Sequence, residues 1–256
     1  MGEFSVRTGT VMGSAHRRKG INNQDCYVVR AVEISGQRYH FGAVLDGCTG
    51  RKGSKTEVGS ILLANFIASE IPLILAAKTP PAHVPAILYQ RCVGYLGSIA
   101  RSTVAGSPEV LWKFIEDCLF TTVLGFLSTR EALITFSAGD GATIVNDEIR
   151  VIDEGQSPFY LAYHLIDRSM LPHDIVLPDT FQVETFAAGD VRRFAVSTDG
   201  IRAELTRDPG ILEEIWNYEA EAPAGLQWWL HRESNLNGRF SDDCTIIAFA
   251  RQKEGE

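Results

Sequence analysis

The chain lacks any paired cysteine motif. Its five cysteines, Cys26, Cys48, Cys92, Cys118 and Cys244, are odd in number, and none forms a Cys-x-x-Cys pair. That argues against a zinc ribbon or a disulfide framework and favours reduced thiols in a cytosol. A basic excess is also missing: 24 Lys and Arg stand against 32 Asp and Glu, a formal net charge of −8. A nucleic-acid or anionic-membrane partner would call for a basic face, so neither is expected. The opening residues Met1-Gly2-Glu3-Phe4-Ser5 carry no basic region followed by an apolar stretch, so no signal peptide is expected. The longest apolar segment, residues 61–77, is interrupted by Asn65, Ser69, Glu70 and Pro72, too broken for a membrane span. There is no internal repeat, low-complexity tract or linker. The expectation is a cytoplasmic protein whose 256 residues, 45% of them apolar, form a single domain over residues 1–256.

What is present reads as short strands around two long helices. Residues 5–12, 26–32 and 38–45 are β-rich, the last two separated by a Ser35-Gly36 turn. Helix-like apolar spacing follows over 55–77, with Leu62, Phe66 and Leu73 recurring, and over 82–104, with Pro85 in the first turn. Strands return at 119–127, 132–137, 142–145, 148–152, 180–186 and 192–197. Short helices are expected at 210–218 and 225–232, and a strand at 244–251 closes the chain. This order is not βαβαβ and implies antiparallel sheets with helices packed outside them.

The informative pattern is aspartate at strand boundaries. Asp25 precedes the strand at Cys26, Asp46 ends the strand at Leu45, Asp199 follows Phe194–Thr198, and Asp242-Asp243 precede Cys244. Strand ends from neighbouring strands can meet at one edge of a core. Carboxylates gathered there repel one another unless cations neutralise them, and all-oxygen ligand sets suit Mg²⁺ or Mn²⁺. The competing reading is the Asp-Gly hairpin turn, which occurs at Asp46, Asp140 and Asp199. Asp140-Gly141 leads directly into another strand and is read as a structural hairpin. Asp46-Gly47 and Asp199-Gly200 lead toward helices, where a hairpin fits poorly.

The segments, taken in order, resemble the protein phosphatase 2C family across nearly the whole chain, in a bacterial-type branch. The resemblance rests on Asn23-Gln24-Asp25, Asp46-Gly47-Cys48-Thr49-Gly50, Gly139-Asp140-Gly141, Ser197-Thr198-Asp199-Gly200 and Asp242-Asp243-Cys244-Thr245. The stretch Ser157-Pro158-Phe159-Tyr160-Leu161-Ala162-Tyr163 adds to it. It implies an α+β fold in which two antiparallel β-sheets pack as a sandwich with α-helices on both outer faces. It implies two Mn²⁺ or Mg²⁺ ions at one end. Asp46 would bridge both, Asp25 and the Gly47 carbonyl would serve one, and Asp199 and Asp242 the other. A hydroxide shared by the ions would attack phosphoserine or phosphothreonine monoesters on proteins, with Asp46, Asp199 and Asp242 as the catalytic set. Asp117 falls where several members hold a third, weaker ion; its plainer reading is an acid at a helix end. The implied partners are a phosphorylated protein substrate and a cognate Ser/Thr kinase in a signalling role.

Three departures stand out. Gln24 replaces the family's glutamate and brings no charge. Cys48 replaces a histidine held to protonate the leaving oxygen, and a thiol is a poor substitute. The phosphate-binding arginine falls on Gly20, leaving Arg17 and Arg18, beside Lys19, as substitutes; otherwise they are a solvated basic loop. These losses support a second reading, a pseudophosphatase that binds a phosphorylated partner, and a third is a phosphatase of small phosphate esters. Trp216, Trp228 and Trp229 are read as helix packing, and the histidines show no metal-type spacing.

Overall fold

The computed structural model describes residues 4–48, 53–153, 158–171, 175–217 and 224–251. Two five-stranded antiparallel sheets stack face to face. The first has the order β1 (Phe4–Val11), β10 (Cys244–Arg251), β9 (Arg193–Ser197), β6 (Gly141–Val145), β7 (Glu148–Ile152). The second has the order β2 (Cys26–Ile34), β3 (Gln37–Leu45), β4 (Val123–Ser128), β5 (Ala132–Ala138), β8 (Gln182–Ala187). Between them lies a core of Val44, Leu124, Phe126, Phe194, Val196, Ile247 and Phe249, all essentially buried. Phe194 and Phe249 stack at 4.8 Å, with Phe126 set edge-on to both.

Helices cover both outer faces, as expected from the strand–helix order. On the second sheet lie α2 (Glu57–Ala76) and α3 (Val84–Thr103). Leu63, Ile67, Ile71 and Ile74 of α2 recur at helical spacing and join the same cluster as Phe41, Ala43 and Leu45 of β3. By length and composition α2 could cross a membrane; here its buried face is packed on protein. On the first sheet lie α5 (Asp199–Arg207), α6 (Ile211–Asn217) and α7 (Gly225–Asn235), around Trp229, Leu230, Ile201 and Ile246.

Several local expectations change. The basic segment after β1 is a short helix, α1 (Ser14–Lys19), rather than a loop. The region read as one strand from Leu119 begins as the end of α4 (Pro108–Cys118), and β4 starts only at Val123. Asp140-Gly141 is no hairpin: β5 and β6 belong to different sheets, so the chain crosses the sandwich there. Trp216 and Trp229 are buried, but Trp228 is 68% exposed and packs no core. Thr49, Gly50, Ser157 and Tyr218 lie outside the described residues.

Candidate metal centre

Sheet register brings the strand-end acids together. Cys26 pairs with Leu45 across β2 and β3, which sets Asp25 beside Asp46. Ser197 pairs with Ile246 across β10 and β9, which sets Asp199 near Asp242. Stacking of the sheets then joins the two pairs. Thr198 Oγ1, from the first sheet, donates to Asp25 Oδ2 of the second at 2.8 Å, while accepting from Thr245 N–H at 2.9 Å. Asp46 lies within hydrogen-bonding reach of both Asp25 and Asp199. Gly200 makes this approach possible: a Cβ there would sit 2.1 Å from Asp243 O, so only glycine lets the start of α5 close on the start of β10.

The electrostatics are those of uncompensated acids. Burial, then Asp25 and Asp199, holds the Asp46 carboxyl well above the usual carboxylate range. Burial, then Asp243, pushes Asp25 up to about 8. Burial, then Asp242, pushes Asp199 up to about 6, against the opposing pull of Arg202. Among the described residues no Lys, Arg or His forms an ion pair with Asp25, Asp46 or Asp199. Asp25 Oδ1 is buried without a protein donor. Such an arrangement calls for cations, and an all-oxygen set fits Mg²⁺ or Mn²⁺. The donor set therefore fits the metal pair that the fold implies.

The remaining expected residues are placed less uniformly. The Asp46-Gly47-Cys48 turn is pinned by Gly47 N–H to Gln24 O at 3.2 Å, Cys48 N–H to Phe120 O at 3.1 Å and Thr122 N–H to Asp46 O at 2.8 Å. Gln24 is fully buried. Asp117 sits near the end of α4, where its carbonyl accepts from Lys55 N–H at 2.6 Å. It is not among the charges acting most strongly on Asp46 or Asp199; its neighbour Glu116 acts on Cys48. The Arg17 guanidinium is turned to α7, donating to Ser234 Oγ at 3.0 Å and Ser234 O at 3.2 Å. Arg18 is exposed and donates to Ser14 Oγ at 3.3 Å.

Three residues at the centre carry no strong sequence signal of their own. Tyr160 is buried, stacks on Phe120 at 4.9 Å, and hydrogen-bonds Cys48 within the field of Asp46. Burial, then Cys48, raises its phenol above the normal value. Asp243 is 2% exposed and accepts from Gly13 N–H and Gln24 N–H, each at 2.7 Å. His16 Nδ1 lies 2.8 Å from Asp243 Oδ2, and the nearness of that carboxylate raises the imidazole pKa. The only hints in the sequence were Tyr160's place in a family-like stretch and Asp243's adjacency to Asp242.

The protein phosphatase 2C sequence profile matches residues 12–232. The chain belongs to the protein phosphatase 2C family. The matched span holds Asp25, Asp46, Asp117 and Asp199 and stops short of Asp242. Solved structures extend the likeness to nearly the full length. A bacterial serine phosphatase aligns at 14% identity over 99% of this chain and 100% of its own, with a TM-score of 0.64. Stp1 from Staphylococcus aureus aligns at 15% over 99% and 96%, with a TM-score of 0.61. The catalytic domain of PstP, solved with two manganese ions, aligns at 16% over 96% and 97%, with a TM-score of 0.58. At these identities the structures establish the protein phosphatase 2C sandwich and nothing finer. None of the curated proteins compared matches by sequence.

Proposed function

We propose that the chain is a metal-dependent phosphatase acting on phosphoserine and phosphothreonine monoesters of proteins, with two Mn²⁺ or Mg²⁺ ions at the carboxylate cluster. The observation that carries this is Asp46, set between Asp25 and Asp199, with no ion pair to Asp25, Asp46 or Asp199 among the described residues. Asp46, between Asp25 and Asp199, would serve both ions. Asp25, oriented by the Thr198 hydroxyl, and the Gly47 carbonyl would serve one; Asp199 and Asp242 would serve the other. Bound there, divalent cations supply a nucleophile at neutral pH and neutralise the phosphoryl oxygens. Asp117 is retained as a candidate for a weaker third ion.

The chain's own groups shape the rest of the site. Of the two arginines expected on the substrate phosphate, Arg17 is engaged by Ser234, which leaves Arg18 as the stronger candidate. Cys48, held by Tyr160, stands where a proton donor to the leaving oxygen is expected, so good leaving groups should be favoured. Cys48 and the buried, uncharged Gln24 also favour the second reading, a pseudophosphatase that binds phosphoproteins. Hydrolysis of an aryl phosphate and of a phosphoserine peptide, with Mn²⁺ and with chelator, separates the two. Activity lost to chelator and restored by Mn²⁺ supports the enzyme; no turnover of either substrate at saturating Mn²⁺ sinks it.

A further inference from the structure

The interior of the sandwich changes character on the flank away from β1 and β2. Near its middle the inward positions are apolar: Leu133 of β5 and Val145 of β6 belong to the same cluster as Phe194 and Phe249. Side chains alternate along a strand, so Thr135 and Ser137 of β5 and Thr143 of β6 share that inward face. All three are buried, and among the described residues no protein group engages their hydroxyls. They line a cavity of about 720 Å³ between the two sheets, flanked by β7 and β8. β7 and β8 are the end strands of their sheets, each with one side lacking a strand neighbour among the described residues.

One guanidinium spans the gap. Arg150 Nη1 lies 2.7 Å from Glu184 Oε1 of β8, and Arg150 Nη2 lies 3.2 Å from Glu148 Oε1 of β7. Its central carbon sits 4.8 Å from the centre of the Phe186 ring. Asp153, the third acid of the lining, is 3.1 Å from Arg202. Glu148 and Glu184, both substantially exposed, thus share a single positive charge and leave a surplus carboxylate at the groove. The groove starts beside the metal centre. Ala138, the last residue of β5, pairs with Val123, and the preceding Thr122 donates its N–H to Asp46 O. Ser137 and Ile152 lie at this end; Glu184, paired with Thr135, and Glu148, the first residue of β7, lie farther along. We propose that this groove receives an extended segment of the phosphoprotein substrate, with Glu148 and Glu184 taking up one of its lysine or arginine side chains. Hydroxyls that both donate and accept, and open strand edges, suit a peptide backbone; the surplus carboxylate suits a cationic side chain. Glu148 is four residues along β7 from Ile152, ~13 Å at the strand rise, so the basic residue stands at least four positions from the phosphorylated one. The inference rests on the proposed function in placing the phosphoserine at the ions.

The test uses the whole chain with Mn²⁺ and a set of phosphoserine peptides in which one arginine is moved through an alanine background, with an aryl phosphate as reference. The expected result is a kcat/KM about 3–10-fold higher when the arginine stands four or more positions from the phosphoserine, between the scale of an exposed ion pair and that of a charged hydrogen bond. The gain should reside in KM and shrink with added salt. Glu148→Gln combined with Glu184→Gln frees Arg150, so the preference should turn from arginine to glutamate at that position, with aryl phosphate turnover unchanged. Should that variant fail to fold, the unaltered chain still decides, because a peptide with glutamate there should be its poorest substrate. Fluorescence polarisation of labelled peptides should give the same ranking without turnover. Equal rates and equal binding for arginine, alanine and glutamate peptides, or a preference that survives the double substitution, overturn this inference and leave the proposed function intact. A chain that hydrolyses no ester yet binds the arginine peptides preferentially loses the proposed function and keeps the groove.

Discussion

Two places in the molecule gather four acids, and they resolve the crowding in opposite ways. Under α5–α7, Glu204, Asp208, Glu214 and Glu233 surround the Arg239 guanidinium, with Asp208 at 2.7 Å and Glu214 at 3.2 Å. Glu204 and Glu233 are about as buried as Asp25. At the sheet ends, Asp25, Asp46, Asp199 and Asp242 meet, and among the described residues the first three have no such ion-pair partner. The Arg239 group is complete within the chain and serves stability. The second group is stable as an assembly of anions only when positive charge arrives from outside. The acid count is alike; among the described residues, the presence or absence of a paired guanidinium distinguishes the two groups.

The sharpest way to break this comparison is at Asp46. Asp46→Asn should lower phosphatase turnover by ~10²–10³-fold or more, the scale for loss of one preorganised electrostatic group, while metal-free thermal stability holds or rises. Turnover with Mn²⁺ and unfolding in chelator measure the two effects; a large loss of metal-free stability would make Asp46 a strut after all. Removing the internal cation should do the reverse. Arg239→Met should cost ~1.5–3 kcal/mol of folding stability, the scale for hydrogen bonds to a charged group, because Glu204 and Glu233 keep Arg207 and Arg232, with turnover per folded molecule unchanged. Denaturant titration reads this directly.

A pH titration sharpens the contrast. In the metal-free fold Asp25 and Asp199 are raised to about 8 and about 6, above the ordinary value of 3.8. The native state then binds more protons than the unfolded chain between those values. Metal-free stability should therefore be greatest near pH 4 and fall as pH rises toward 8. Saturating Mn²⁺ or Asp25→Asn should flatten the fall; a stability that rises over this range would contradict the uncompensated cluster. The smallest effect belongs to Tyr160→Phe. Losing the hydrogen bond to Cys48 should cost about 1 kcal/mol, read as a modest drop in melting temperature and faster alkylation of Cys48. Unchanged Cys48 reactivity would show that the contact does not restrain the thiol.

Much of this was legible in the chain. β7 and β10 occupy the expected residues, and Pro85 lies in the first turn of α3, because β-rich runs between turn residues and a proline tolerated only at a helix start are local signals. The positions of Asp25, Asp46, Asp199 and Asp242 at element ends were equally local. Asp140 was misread because a turn residue followed by a strand does not say which sheet that strand joins. α1 was missed because six residues are too few to show a periodicity.

What the sequence determined by itself was the order of the strands and long helices and the family, since both reside in short-range pattern. What only the tertiary structure decided was neutralisation. Whether an acid faces a guanidinium, as Glu233 faces Arg239, or another acid, as Asp46 faces Asp25, depends on contacts between residues distant in the chain. His16 meets Asp243 across more than two hundred residues and Tyr160 meets Cys48 across more than a hundred. Charge compensation is a property of distance in space, and no spacing along the chain encodes it.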